Sequence, residues 1–586
     1  AALCSLEYYT HVPQDLTPMI FLLNLLFFWI LYGMLTVLTG RSDVGCCIAT
    51  LVPMLFGLAN YFVVQFRSSP IVPWDLLSIG TAVTVTDSYS FTFKWSTVFV
   101  LYGFIWILLL ASRTTLRIRR PVIRIPAAAA FVALMAVYVN GIQSSAVQAY
   151  FGMDTTLFTL NVLYRNNGIA AAFLGNLRFL NLEEPEGYAM EKVEELQAKV
   201  EELAAKGQET GNSSAAESQD DMPNVIVIMD EAFSDLSVWG DFNTSQEVMP
   251  FFQSIQEESV GGEVYVSVKG GNTANTEFEF LTGDTMGFLP AGSIPYQQYI
   301  NEKLPNLASH LKGLGYQTVA IHPYYKTGWD RDEVYDLFGF DDFLGMESFA
   351  SPLKYRGYIS DQSAFEKIIE QYEQKSSDAR MFVFEVTMQN HGGYSKETPD
   401  FDSYVKLPDV TFRSAQTLAV EKYLTLMNRT DRALEELVTY FEEQEEPVIL
   451  LIFGDHQPSD YITNPVARLT GFDSDGSLEA VQTGYRVPFV IWSNYGLEQK
   501  YYEGISVNYL SSILMQEAGI PLTDYQQYLS ELMEMLPVIT GNVYQDAEGT
   551  FYNWSEKAYE EELNEYRMIQ YNHLVDGKNR VESFFE

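Results

Sequence analysis

At 586 residues the chain is long enough for more than one domain, and its formal charge of −40 is unevenly spread. Up to Leu180 there are six acidic against ten basic residues; beyond it there are seventy against twenty-six, a surplus of about −44. An acidic body of that size repels nucleic acid and anionic lipid at long range, which excludes a nucleic-acid-binding reading.

Met19 to Thr39 is an uncharged apolar run of the length that crosses a bilayer as a helix. Val44 to Phe66 is a second, interrupted by Pro53 and Gly57, breaks that membrane helices tolerate when neighbours cover them. Ser96 to Ser112 makes a third and Pro126 to Val139 a fourth, short and Ala-rich, for which a buried core helix is the alternative. The loop between the last two carries Arg113, Arg117, Arg119, Arg120 and Arg124 and no acid, so the positive-inside rule makes it cytoplasmic. Counting crossings from there puts Arg41 and Asp43 inside. The segment from Arg67 to Lys94, with its Pro73-Trp74-Asp75 stretch, and everything after the fourth span come out extracytoplasmic. The residues before Met19 also fall outside, so a further span ahead of Ala1 would return the N-terminus to the cytoplasm. Cys4, Cys46 and Cys47 all lie in the apolar part, so the acidic part folds without a disulfide.

Residues 1–145 therefore read as a transmembrane domain and 146–221 as amphipathic helices on the membrane followed by a linker. That second segment includes a charged helix from Met190 to Ala205 and a Gly/Ser/Glu stretch from Gly207 to Asp221. From Met222 strand-like runs alternate with helical ones. Strands are expected at 224–229, 263–268, 317–321, 381–386, 448–453 and 487–492, and helices at 304–314, 361–374 and 420–443. The expected class is a helical membrane domain plus an extracellular α/β domain over 222–545. Its mostly parallel central sheet gathers ligands at the carboxyl ends of the strands, and residues 546–586 form a helical extension.

Three strand ends bring chemistry together. Glu231 follows the first strand, Asp455-His456 follow the run Val448 to Gly454, and Gly270-Gly271-Asn272-Thr273-Ala274-Asn275-Thr276-Glu277-Phe278 follows Val264 to Val268. A Thr hydroxyl needs a base or a metal to become a nucleophile, and a carboxylate with a carboxylate-imidazole pair is a set that holds a divalent cation. Taken singly, Glu231 reads as a helix-start residue, Thr273 as the cap of a helix beginning near Asn275, and Asp455-His456 as a structural pair.

In order and spacing these motifs resemble the lipoteichoic acid synthase family, membrane enzymes with an extracellular sulfatase-like domain of alkaline-phosphatase type. The matching stretches are residues 229–234, 271–278, His322-Pro-Tyr-Tyr-Lys-Thr-Gly-Trp-Asp-Arg331, Met388-Gln-Asn-His-Gly-Gly-Tyr394 and 453–457. The resemblance implies that Glu231, Thr273, Asp455 and His456 hold manganese or magnesium and that Thr273 is the nucleophile. It assigns His322, Trp329, Arg331 and His391 to a glycerol-phosphate group, with His322 or His391 donating or carrying a proton. On their own, Trp329 reads equally as core and Arg331 as paired with a helix acid such as Glu333. Tyr324, where relatives are often acidic, and Asp330, for a frequent Asn, depart from the pattern. The implied reaction takes glycerol phosphate from phosphatidylglycerol to a growing polyglycerolphosphate or a glycolipid acceptor. Phosphoethanolamine transfer, addition of a single glycerophosphate and a non-catalytic scaffold are the alternatives. The Cys/Ser-x-Pro-x-Arg signature of a sulfatase is absent at Thr273.

Overall fold

The computed structural model describes all residues except 68–69, 77–92, 155–159, 181, 210–221, 377, 399–400, 412 and 473. Most of the expected linker and the outer loop from residue 77 lie outside the described residues. The contacts divide the chain into two units: one of Ala1–Leu76, Phe91–Leu182 and Pro290–Gly292, the other of Leu77–Ser90, Glu183–Leu289 and Ser293–Glu586.

Among the described residues of the first unit four helices are long and apolar enough to cross a membrane: Pro18–Thr39, Ser42–Gln65, Trp95–Ser112 and Pro121–Gln143. The first starts on Thr17, whose hydroxyl accepts the Ile20 N–H at 3.3 Å, and stops at Gly40 with φ 68°, where only glycine turns freely. Arg124 closes that end by donating from Nε to the Val37 carbonyl at 3.0 Å, and Arg41 and Arg117 both pair with Asp43. Two of the five loop arginines thus also fasten helix ends. Residues 169–175, expected to lie flat on a membrane, instead form a short buried helix. Its small residues allow close approach, and its leading N–H groups are taken by buried acceptors: both Glu7 oxygens at 3.2 Å from Ile169 N, and Asn24 Oδ1 at 3.1 Å from Ala171 N.

The second unit is built on an eight-stranded sheet. In chain order its strands are β1 (Asn224–Asp230), β2 (Val260–Tyr265), β3 (Gln317–Ile321), β4 (Asp342–Leu344), β7 (Met381–Val386), β8 (Val448–Gly454), β9 (Arg486–Ser493) and β10 (Lys500–Ser506). β5 (Lys354–Tyr355) and β6 (Tyr358–Ile359) form a separate hairpin. The spatial order is β10-β2-β9-β8-β1-β7-β3-β4, and every pairing is parallel except the two made by β9. β1 and β8 are buried along their whole length because both faces are covered, which is why they read as unbroken apolar runs. Ile226, Ile228, Val383, Leu450 and Ile452 face the helices Asp361–Gln374 and Ala415–Glu442. On the other face Phe280, from the helix Thr273–Thr282, packs on Phe384 and Phe453 with ring centroids 5.9 and 5.1 Å apart.

The charged helix Met190–Glu209 belongs to this unit and not to a linker. Val193, Leu196 and Val200 lock it into a second core with Tyr528, Leu529, Leu563, Tyr566 and Phe585. The expected boundary near residue 222 therefore moves to Glu183.

Two tests follow from the packing around the sheet ends. A Cβ on Gly454 would lie 2.1 Å from the Phe233 carbonyl oxygen and 3.0 Å from Val487 Cβ, both fixed atoms. Gly454→Ala should therefore cost about 1–3 kcal/mol in chemical denaturation of the full chain. Buried Glu279 accepts from Ser267 Oγ and Met286 N, both at 2.8 Å, and burial raises its pKa from 4.5 to about 7. The folded form keeps this proton where the unfolded chain has lost it, so stability falls as pH rises from 4.5 to about 7. Glu279→Gln should remove roughly 2–3 kcal/mol of that loss, read from unfolding midpoints at the two ends of the window.

Candidate active site

β1 and β8 lie side by side in parallel, with Asp230 level with Gly454, so the residues that follow them emerge together at one sheet edge. Glu231, Asp455 and His456 each present a ligand atom within 4.8 Å of the others, and all three are buried. Asp455 Oδ1 is fixed by the Ala232 and His456 N–H groups, both at 2.7 Å. Among the described residues its Oδ2 has no hydrogen-bond partner, and neither does His456 Nε2, 3.2 Å away. His456 Nδ1 lies 2.9 Å from the Gln457 carbonyl. A carbonyl only accepts, so Nδ1 carries the proton and Nε2 turns its lone pair toward Asp455 Oδ2 and, at 3.9 Å, Glu231 Oε1. Asp455 Oδ2 and the His456 lone pair, with a Glu231 oxygen beside them, repel one another unless a positive charge sits among them. Burial first, and then the neighbouring Asp455, push the Glu231 pKa well up; burial raises that of Asp455. The donor set, two carboxylate oxygens and an imidazole nitrogen positioned by its second nitrogen, suits a divalent cation.

Thr273 stands at the first position of its helix and not ahead of it, so it is not the helix cap. The turn into it is made by Gly270, Gly271 and Asn272, at φ 69°, 150° and 67°. Gly270 N donates to the Gln457 carbonyl at 3.0 Å, and Thr276 Oγ1 donates to the Asp455 carbonyl at 2.7 Å, so the turn is tied to the end of β8 from both sides. The buried Thr273 hydroxyl is thereby placed close enough to the Glu231 and Asp455 carboxylates to lower the pKa of each against the effect of burial.

The remaining motif residues divide. Arg331 is buried and turns its Nε–Nη2 edge to Glu277 of the Thr273 helix, with Nε 3.0 and 3.1 Å from the two carboxylate oxygens. Tyr335 donates to the same carboxylate at 2.6 Å. Arg331 Nη1 donates to His322 Nε2 at 3.3 Å and to the Gly328 carbonyl at 3.4 Å. The two-pronged edge expected to hold phosphate is thus on a carboxylate, and that carboxylate is Glu277 and not Glu333: a guanidinium sealed from water requires a counter-charge at hand. His322 Nδ1 donates to the Val386 carbonyl at 2.8 Å. Burial and Arg331 hold its pKa well below the usual range, so His322 is neutral with both nitrogens engaged and is not placed to donate a proton. Trp329 is half-buried in a left-handed backbone, φ 60°, beside Asp330 at 58°; it is not core. His391, half-buried, meets the Tyr358 hydroxyl through Nδ1 at 3.1 Å, and burial together with Arg356 and His456 pushes its pKa down to about 3.

Arg356 was not singled out by the sequence. It occupies the two-residue turn between β5 and β6 with φ 55°, followed by Gly357 at 93°, the pair of left-handed conformations of a type I′ hairpin. Its signal is the dipeptide Arg-Gly between tyrosines, unusual because Asn or Asp tolerates the first position better. Of the eight non-glycine residues with positive φ among the described residues, five (Ala232, Asn272, Trp329, Asp330 and Arg356) carry or adjoin these groups.

The chain matches the Sulfatase family over residues 223–520. It is 30% identical over 431 residues to a Rhizobium meliloti protein named for cyclic beta-1,2-glucan modification, covering 72% of this chain and 64% of that one. To the lipoteichoic acid synthase-like YvgJ of Bacillus subtilis it is 24% identical, over 42% of this chain and 39% of that one. The chain thus spans less than two thirds of the length of these relatives. Its fold is that of the Streptococcus pyogenes phosphoglycerol transferase GacH, solved in complex with sn-glycerol-1-phosphate, at TM-score 0.56 and 20% identity, covering 69% of this chain and 99% of that one. The family match covers half of the chain and contains β1 to β10 with Glu231, Thr273 and Asp455-His456, and the chain belongs to the Sulfatase family.

Proposed function

We propose that this is a membrane-anchored, metal-dependent phosphotransferase that takes glycerol phosphate from phosphatidylglycerol. It acts through a covalent intermediate on Thr273, with the catalytic unit outside the cytoplasmic membrane. The observation that carries this reading is the Thr273 hydroxyl close to the Glu231 and Asp455 carboxylates, next to a His456 nitrogen that no group among the described residues satisfies. Glu231, Thr273, Asp455 and His456 are the residues that would hold manganese or magnesium. A divalent cation bound there supplies the charge that makes a threonine hydroxyl acidic enough to react near neutral pH. In the first step Thr273 Oγ gives up its proton and bonds to phosphorus while the bond from phosphorus to the diacylglycerol oxygen breaks, and that oxygen leaves with a proton. An acceptor hydroxyl then displaces Thr273 and restores its hydroxyl. His391, held neutral by burial and the charge of Arg356, can accept a hydrogen bond from the acceptor hydroxyl and orient it. Sulfatase chemistry is disfavoured because Thr273 stands where that reaction needs a Cys or Ser.

For the acceptor two readings remain. The lipoteichoic acid synthase-like relative supports a growing polyglycerolphosphate chain or its glycolipid anchor, and the relative named for glucan modification, matched over more of the chain and at higher identity, supports single transfers to a glycan hydroxyl. Product length after incubation with phosphatidylglycerol and either acceptor separates them.

Thr273→Ala should lower diacylglycerol release from phosphatidylglycerol more than about a thousandfold. Wild-type protein starved of acceptor should carry glycerophosphate on the peptide containing Thr273, seen by mass spectrometry. Release at the normal rate by Thr273→Ala ends the nucleophile assignment. Chelation should abolish turnover, and added manganese should raise the unfolding free energy of the chelated wild type by about 2.7 kcal/mol at a hundredfold excess over Kd. Asp455→Asn should lose most of that gain, and an unchanged gain removes Asp455 from the cation site.

A further inference from the structure

Among the described residues near the site, Arg331 has its charge balanced by Glu277, and Glu231 with Asp455 bring the two negative charges that a divalent cation balances. Arg356 is left over. Its Nη2 donates to the His391 carbonyl at 2.8 Å and to the Gly392 carbonyl, which fixes the turn carrying His391. The guanidinium lies 4.6 Å over the Tyr394 ring and 5.7 Å from that of Tyr358, whose hydroxyl meets His391 Nδ1. Its Nε and Nη1 are shielded from solvent and have no hydrogen-bond partner among the described residues. It acts on Glu231 and His391 through its field but forms no ion pair with a carboxylate among the described residues. A sheltered guanidinium with unsatisfied N–H groups is costly, and the left-handed backbone that presents it adds strain. Both are explained when an anion completes the site.

We propose that Arg356 is the residue that recognises the phosphoryl group. Its Nε and Nη1 donate to two oxygens of a singly charged phosphodiester lying between Thr273 and His391. The β5–β6 turn is then a rigid clamp that delivers the guanidinium and positions His391 in one piece. An Arg–phosphate fork of this kind is directional and charge-assisted, which a lysine cannot reproduce. A diester before transfer and the diester on Thr273 after it carry the same single charge, so one residue serves both. This inference rests on reading the site as one of phosphoryl transfer.

The test uses manganese-loaded full-length protein in detergent, titrated calorimetrically with inorganic phosphate and with sn-glycerol-1-phosphate. Arg356→Gln should weaken both about tenfold to a hundredfold with manganese affinity and unfolding midpoint unchanged, and Arg356→Lys should recover only part of the loss. The inference is overturned if the Gln variant binds both probes as tightly as wild type. It is equally overturned if manganese affinity falls in step with phosphate affinity, which would make Arg356 a structural clamp only, or if wild type binds neither probe. Diacylglycerol release is scored separately: a wild-type protein that binds phosphate through Arg356 but releases no diacylglycerol overturns the functional reading and leaves this one standing.

Discussion

Electrostatic repulsion among acceptors packed at the ends of β1 and β8 is the constraint around which the acidic unit is arranged. Asp455 Oδ2 and the His456 lone pair face each other, with Glu231 beside them, and among the described residues neither of the two is met by a donor. Such an arrangement costs several kcal/mol if nothing binds there, and it survives because the surrounding bonds leave the side chains no other direction. The Ala232 and His456 amides hold Asp455, the Gln457 carbonyl holds His456, and Thr387 Oγ1 accepts the Glu231 N–H at 3.0 Å. Gln457 is itself anchored by Trp239 Nε1 at 2.8 Å and by the Thr483 and Arg486 carbonyls, so rigidity reaches the site from the core outward.

The two arginines show how burial sorts residues of one type. Arg331 lies deep, pairs with Glu277, to which Tyr335 also donates, and stiffens the helix that carries Thr273 at its first position. Arg356 is delivered by a hairpin turn, bonded only to backbone carbonyls, and keeps its charge unspent. The motif contained the first because it travels with His322 and Trp329 along one segment. The second is twenty-five residues further on and carries no periodic signal.

What could be read from the residues follows from where each signal lives. The four apolar helices stand out because a bilayer imposes a length, and β1 and β8 because a strand covered on both faces becomes a continuous apolar run. The reversed direction of β9 could not be read, since a buried run has the same composition either way. β10 escaped because it is an edge strand whose Lys500-Tyr501-Tyr502-Glu503 opening faces water. β2 begins three residues before the expected start because two glycines hide its first half. The Glu277 partner of Arg331 was out of reach for another reason: the two are 54 positions apart, and pairing through space leaves no local trace.

The second core has a bearing on the order in which the polypeptide is made. The central sheet is complete once Ser506 has been synthesised, but the helix Met190–Glu209 finds the partners in its core only from Tyr509 onward, the last of them at Phe584 and Phe585. Until the ribosome has finished some three hundred further residues, that helix waits with Val193, Leu196 and Val200 uncovered. Its abundance of Glu and Lys is what keeps so long a wait soluble.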